Sequence, residues 1–479
     1  MTVSRLAAPR VSIPRAGMPR VAVLGGGLAG LAAGVRLSEE GFAVELIEKR
    51  SVLGGRASSF TPPGESAPID NCQHVLLGCC TNLLDFLRRT DALRQIHFYH
   101  RFDFLGDAGL SSLAASLLPA PLHFLPSLLR FRHLIPADRW SLVRAILAIV
   151  CTPRPYPDIP LMGWLRDQGQ SVAVIDNFWR VIMTSALNED PERLSARPAF
   201  HVIIDSFVRN RTGYKMGVPK VPLSEMYSAE KMRQRMTVRL GTAIAGLNIS
   251  NGRIDGLQLQ NGETLHADYY LSALPPDAIA NLFTAPQRVE WPELNEWKDL
   301  EWSPITGIHL WYDRPVMDIH HAVVVGKTIQ WVFNKSLAAG KSAGSGQYIQ
   351  VVISASRPLL TMRREAIIEL VQRELGEVLA RTKEAKLDRA VIVKEAESTP
   401  SFPPGWESHR PGPITPFANL FLAGDWTATG WPPTMESAVR SGYRAAECIA
   451  NSGAEVDGKR HNFLVNDLPS DLLVRLMLP

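Results

Sequence analysis

Residues 21–50 read VAVLGGGLAGLAAGVRLSEEGFAVELIEKR, and the order of patterns inside this stretch decides the architecture. Val21 to Leu24 is a short, wholly apolar run, the signature of a buried strand, and it stops at a cluster of glycines. From Leu28 the apolar residues take helical spacing, and after Gly41 a second apolar run, Val44 to Ile47, returns to strand character. Strand, helix and strand in this succession make a βαβ unit, so an α/β fold is predicted.

Gly25, Gly27 and Gly30 form G-x-G-x-x-G directly after the strand and at the start of the helix, the context in which the motif carries meaning. Gly25 allows the tight turn and Gly27 lets backbone approach a pyrophosphate. Gly30, with Gly34, permits close packing of the helix, whose first N–H groups face the phosphate charge. Leu28 and Ala29 occupy that first turn and are counted with the site. Glu48 ends the second strand, where a carboxylate accepts hydrogen bonds from ribose hydroxyls, and Lys49 follows it. A dinucleotide site is the expectation.

Working outward, 479 residues exceed what one core supports, so two lobes are expected. The 51 basic and 47 acidic residues leave a formal charge of only +4, too slight to argue for nucleic acid. Five cysteines, odd in number and without a C-x-x-C pair, speak against a disulfide scaffold and a zinc site and fit a reducing cytoplasm. Arg5, Arg10, Arg15 and Arg20 mark residues 1–19 as a basic tail without a signal-like apolar stretch. Ala108 to Leu129 has no formal charge, but Pro119, Pro121 and Pro126 argue against a spanning helix. It reads equally as an apolar segment lying on the inner membrane surface, followed by Arg130, Arg132 and Arg139, or as a buried helical hairpin.

Residues 86–224 alternate Leu-rich helical stretches with prolines and show no dinucleotide signature. Short runs from Met236, namely MTVRL, AIAGLNIS, RIDGLQLQ and TLHADYYLSAL, predict a small β-meander with turns at Gly241, Asn251-Gly252 and Asn261-Gly262. The expected division is therefore a discontinuous cofactor domain, 20–85, 225–285 and 395–455, with a substrate lobe from 86–224 and 286–394 and a tail at 456–479.

Further motifs carry a resemblance. EKRSVLGGRASS (48–59) resembles the second glycine doublet of FAD proteins in the amine oxidase and phytoene desaturase superfamily, in which the loop arginine supports the pyrophosphate. NLFLAGDW (419–426) resembles the closing motif of that superfamily. The resemblance implies a Rossmann-like FAD-binding domain with a β-meander, interleaved with a helix-rich and mixed-sheet substrate domain of amine oxidase or GDI-like type. It places Gly55, Arg56, Gly424 and Asp425 on the cofactor, Ile244 against adenine, and Thr434 and Met435 at the flavin ring, with Trp426, Trp431, Pro432 and Glu436 nearby.

IDNCQHVLLGCCTNLLDFLRRT (69–90) and FLAGDWTATGWPPTMESAVRSG (421–442) go further and resemble the hydroxysqualene dehydroxylases, squalene-associated flavoenzymes of hopanoid synthesis. FWRVIMTSALNEDPERLSA (178–196), SPITGIHLWYDRPV (303–316) and IQWVFNKS (329–336) extend the likeness over most of the chain. Cys72 and Cys80 depart from the pattern, where glycine and an aromatic residue are usual. The resemblance implies that hydroxysqualene is reduced to squalene and water, with an apolar isoprenoid substrate and an electron donor that the sequence does not name. His74, then Asp70, are the proton-donor candidates, with Gln73 beside them in the segment expected to cross the flavin. A carotenoid-type FAD desaturase is the rival enzyme, and a GDI-like isoprenoid carrier without flavin is the rival of another class. An amine oxidase fits less well, since no cluster suited to a charged amine stands out.

Overall fold

Two parallel strands begin the structure: β1 (Arg20–Leu24) passes through Gly25–Gly27 into α1 (Leu28–Glu39) and returns as β2 (Ala43–Ile47). Their register runs from Val21 opposite Val44 to Leu24 opposite Ile47. The computed structural model describes residues 17–64, 67–338, 340, 346–452 and 460–477. Most of the expected basic tail, residues 1–16, lies outside them.

The first sheet has five parallel strands in the order Thr237–Arg239, β2, β1, Tyr269–Ser272 and Leu420–Leu422. Parallel strands need both faces covered, which is why their residues are almost all apolar. One face is covered by α1 and by α2 (Met435–Ser452), which cross so closely that a Cβ on Gly442 would stand 2.2 Å from the Ala29 carbonyl oxygen. The other face packs with the three-stranded antiparallel sheet of residues 244–265 around Leu257 and Tyr270.

A seven-stranded sheet carries the second part of the chain, in the order Leu387–Pro400, Trp302–Tyr312, Gln347–Ser354, Trp331–Asn334, His321–Val324, Arg101–Gly106 and Gly109–Ala114. Helices between Leu125 and Val202 pack beside it around Trp179, Phe131 and Phe200. The fold is thus mixed α/β, as the sequence predicts.

Four local expectations are corrected. MTVRL contributes Thr237–Arg239 to the parallel sheet beside β2, not to the meander, because Val238 buries against the α1 side. TLHADYYLSAL splits at His266–Asp268 into Thr264–Leu265 and Tyr269–Ser272, which join different sheets. The segment Ala108–Leu129 is not a helical hairpin: Gly109–Ala114 is a strand paired with Arg101–Gly106, followed by the single 3-10 turn Leu122–Phe124 and the short helix Leu125–Leu129. Finally, the stretch from 456 ends in a helix, Leu472–Met477, where only a tail is expected. Among the described residues no helix is long and apolar enough to cross a membrane.

Candidate active site

The loops that follow β1, β2 and Leu420–Leu422 at the C-terminal edge of the five-stranded sheet carry most of the expected cofactor residues. Gly25 adopts φ +103°, a left-handed conformation that a side chain resists, and a Cβ there would meet the Ala273 carbonyl oxygen at 3.0 Å. Gly30 lies so close to the turn that a Cβ would fall 2.0 Å from Gly25 O. Leu28 and Ala29 are buried in the first turn of α1. Glu48 is buried, with Oε2 accepting the Gly26 N–H at 2.7 Å and Oε1 the Arg50 N–H at 2.8 Å, so the acid is locked against the glycine turn. Lys49 is exposed beside it.

The second glycine doublet seats on the first. The Gly54 N–H donates to Gly26 O at 2.9 Å, and Gly55, at φ +61°, faces Gly27 so closely that a Cβ on it would lie 3.0 Å from Gly27 Cα. A Cβ on Gly27 would in turn meet Gly55 Cα at 3.9 Å. Two side-chain-free turns meeting at a helix N-terminus leave the backbone open to a pyrophosphate, so these residues fit a dinucleotide.

Arg56 then turns toward the chain's other end, where its Nη2 donates to Asp425 Oδ1 at 2.5 Å and its Nη1 to Ser398 O at 2.9 Å. Gly424 sits at φ +141° with its N–H on Ser441 Oγ at 2.8 Å, fixing the loop to α2. Arg410, which sequence reasoning missed, stitches this loop together from inside, donating to the carbonyls of Asp425, Thr427 and Trp431. Thr434 precedes α2 and its Oγ1 accepts the Ser437 N–H, while Met435 opens the helix, whose first turn has N–H groups without intrahelical acceptors. Ile244 begins the antiparallel sheet opposite Leu259, next to the Thr242 N–H that donates to Glu48 O.

Two of the residues expected near the ring are held by contacts within the protein. Trp426 turns into the core, donating to Leu274 O and packing on Trp297. Glu436 is fully buried and accepts the N–H groups of Asn82 and Leu83, pinning the helix Thr81–Arg89 to α2.

The 70–74 segment forms a second group, joined to the first by Asn71, whose Nδ2 donates to Arg56 O at 2.8 Å. Asp70 is buried, with Oδ1 accepting from Ser59 Oγ and the Leu223 N–H, and Oδ2 lying 3.7 Å from Lys335 Nζ. Lys335 also donates to Gln73 Oε1 at 2.8 Å. Burial lowers the pKa of Lys335 against the opposing pull of Asp70. His74 Nδ1 lies 3.0 Å from Cys72 O, and since a carbonyl only accepts, Nδ1 carries the proton and Nε2 is left as an acceptor. Burial also holds His74 below the ordinary histidine pKa. Cys72 is buried and its thiol is pushed up to about 12, so it packs and does not react. Lys335 was the residue without a signal: nothing in IQWVFNKS marks it.

The segment that follows His74 lines, through Val75, Leu76 and Leu77, a cavity of about 320 Å³ whose other walls are mainly apolar side chains such as Phe102, Phe178, Val202 and Trp331. Its lining includes the buried Trp431 and Glu436 with Pro432, Thr434 and Met435, and also Leu122 and Leu147, which are partly exposed. Among the described residues no cluster of side chains is arranged to hold a metal ion.

The profile of the family described as flavin containing amine oxidoreductase matches residues 28–450. The chain belongs to this family. It is an FAD-dependent oxidoreductase, and the glycine turns, Glu48, Arg56 and Asp425 lie together at one edge of its parallel sheet. A hydroxysqualene dehydroxylase of Sinorhizobium fredii is 27% identical over 90% of this chain and 98% of its own. A zeta-carotene desaturase of Synechocystis is 25% identical, covering 91% and 98%. In fold, cyclohexylamine oxidase from Brevibacterium oxydans superposes with a TM-score of 0.66 at 15% identity, over 91% of this chain and 99% of that one.

Proposed function

We propose that this flavoenzyme reduces hydroxysqualene to squalene and water. The observation that carries the reading is the apolar cavity leading from surface leucines to the Trp431–Glu436 turn, a space suited to a long hydrocarbon and poor in groups for a charged amine. Similarity to hydroxysqualene dehydroxylases supports it, together with Gln73-His74 and GWPPTMESA in this chain. Bound FAD, when reduced, supplies a hydride.

The chain's own residues supply the rest. The apolar walls hold the isoprenoid and exclude water. The substrate hydroxyl is allylic, so adding a proton and losing water leaves a delocalised cation, and one hydride then completes the product. We assign the proton to the group Asp70, Gln73, His74 and Lys335. Neutral His74, with its N–H spent on Cys72 O, suits holding the segment; the Lys335 ammonium gives up a proton more readily than a solvated lysine.

The deciding experiment adds hydroxysqualene to the anaerobically reduced holoprotein, follows flavin absorption and extracts the lipids. Reoxidation with squalene is the expected result. A conjugated polyene formed from a carotene by the oxidised protein would assign a desaturase instead. Lipid binding with no chemistry in either direction would leave an isoprenoid carrier.

A further inference from the structure

Three separated segments meet around the outer end of the cavity. Leu122 and Leu147 both line it and are 45% and 41% exposed, so they mark its mouth. The loop before Leu122 is closed by the Ser116 N–H on His123 O at 2.7 Å, and it holds Leu117 out at 94% exposure. Arg211 ties this loop to the C-terminal helix: Nη2 donates to Ser116 O at 2.8 Å and the backbone N–H to Asp471 Oδ2 at 3.1 Å. The helix Leu472–Met477 buries only Val474 and leaves Leu472 and Leu476 at 75% and 80% exposure. Trp140, also exposed, stands two turns before Leu147 on the helix Pro136–Val150.

Exposed leucines and a tryptophan on elements that border the cavity or are tied to its rim mark an interaction face, not a finished surface. The charge around it is mainly positive. Between residues 116 and 147 the chain carries Arg130, Arg132, Arg139 and Arg144 against the single acid Asp138, and Arg475 adds to them from the C-terminal helix. Leucines and tryptophan to insert, with arginines to meet anionic headgroups, are the two halves of an interfacial membrane site.

We infer that this face lies on an anionic phospholipid bilayer, with the C-terminal helix as one of its inserted edges and the cavity mouth turned toward the lipid. The inference deepens the isoprenoid reading, since a long hydrocarbon then enters from the bilayer without crossing water.

The test floats the holoprotein with vesicles of phosphatidylglycerol and phosphatidylcholine. The wild type is expected to bind and to weaken, but not vanish, as salt rises. The double variant Leu472→Glu, Leu476→Glu should bind roughly tenfold or more weakly, with its flavin spectrum and thermal transition unchanged; Leu117→Glu should act in the same direction. Failure of the wild type to float, equal binding by the variants, or a dimer that the variants convert to monomer would overturn the docking face. Vesicle binding as expected with no turnover of hydroxysqualene would support the face while removing the proposed reaction.

Discussion

Arg56 and Asp425 lie 369 positions apart in the chain and meet in an ion pair of 2.5 Å. The pair joins the loop that follows β2 to the loop that follows the last strand of the parallel sheet, so the cofactor edge is complete only when both ends of the chain have folded. Asp425 is buried while about a third of Arg56 is exposed, and the guanidinium also lies over the Trp302 ring. A buried carboxylate depends on such a partner, because removing one member leaves a charge without compensation.

Arg56→Ala should therefore cost stability as well as FAD affinity. A loss of about 10- to 100-fold, equivalent to ~1.4–2.8 kcal/mol, is expected when apoprotein is titrated with FAD and flavin fluorescence is followed. Arg56→Lys should recover little, since a lysine cannot bridge Asp425 and Ser398 O as a planar fork does. Affinity within twofold of wild type would remove Arg56 from the site.

Gly442 makes a different prediction, about packing. A Cβ at this position would stand 2.2 Å from Ala29 O and 3.1 Å from Ala33 N, both backbone atoms that cannot rotate aside. Gly442→Ala should push α2 off α1 and destabilise by about 1–3 kcal/mol. Calorimetry should show a transition several degrees lower, with weaker flavin retention, because α2 begins at Met435 beside the expected ring position.

What the sequence made legible was local chemistry. Gly25, Gly27, Gly30 and Glu48 are readable because a turn, a helix start and a strand end follow one another within one βαβ unit, and Gly424-Asp425 because strand and glycine adjoin. Lys335 was not readable: its meaning comes from Gln73, 262 positions away. Arg410 likewise acts only through carbonyls that the fold brings to it. Arg101–Ala114 was absorbed into a helical reading because its strands complete a sheet whose neighbouring strand, His321–Val324, comes from far downstream. Trp426 looked like a ring contact by its place in the motif, but apolar partners at Trp297 and Leu274 draw it inward.

Buried histidines set the acid limit. Burial holds His123, His201 and His321 down to about 4 and His309 to about 3, each from an ordinary 6.5. Between about pH 6.5 and pH 4 the unfolded chain binds protons that the folded protein refuses, so stability is full above that window and falls as pH falls through it. Glu436, whose carboxyl burial pushes up, works in the opposite sense. Thermal midpoints should decline from pH 7 to pH 5, and His201→Gln should flatten the slope; an unchanged slope would show that His201 is not held neutral.

Lys335 separates a proton-handling group from a merely structural one. Its ammonium holds Gln73 Oε1 and faces Asp70, so Lys335→Met should release the Gln73 side chain and leave a buried carboxylate unbalanced. Turnover of hydroxysqualene should fall about 100- to 10,000-fold, the usual scale for losing a positioned acid, while FAD content stays near wild type because the glycine turns are untouched. Lys335→Arg restores the charge but holds its proton far more tightly, so it should recover binding of the lipid without recovering kcat. In wild type the basic limb of the kcat profile should lie below the range of a solvated lysine, since burial lowers the Lys335 pKa. Full kcat in the arginine variant, or a basic limb unmoved by either substitution, would assign Lys335 to holding the 70–74 segment alone.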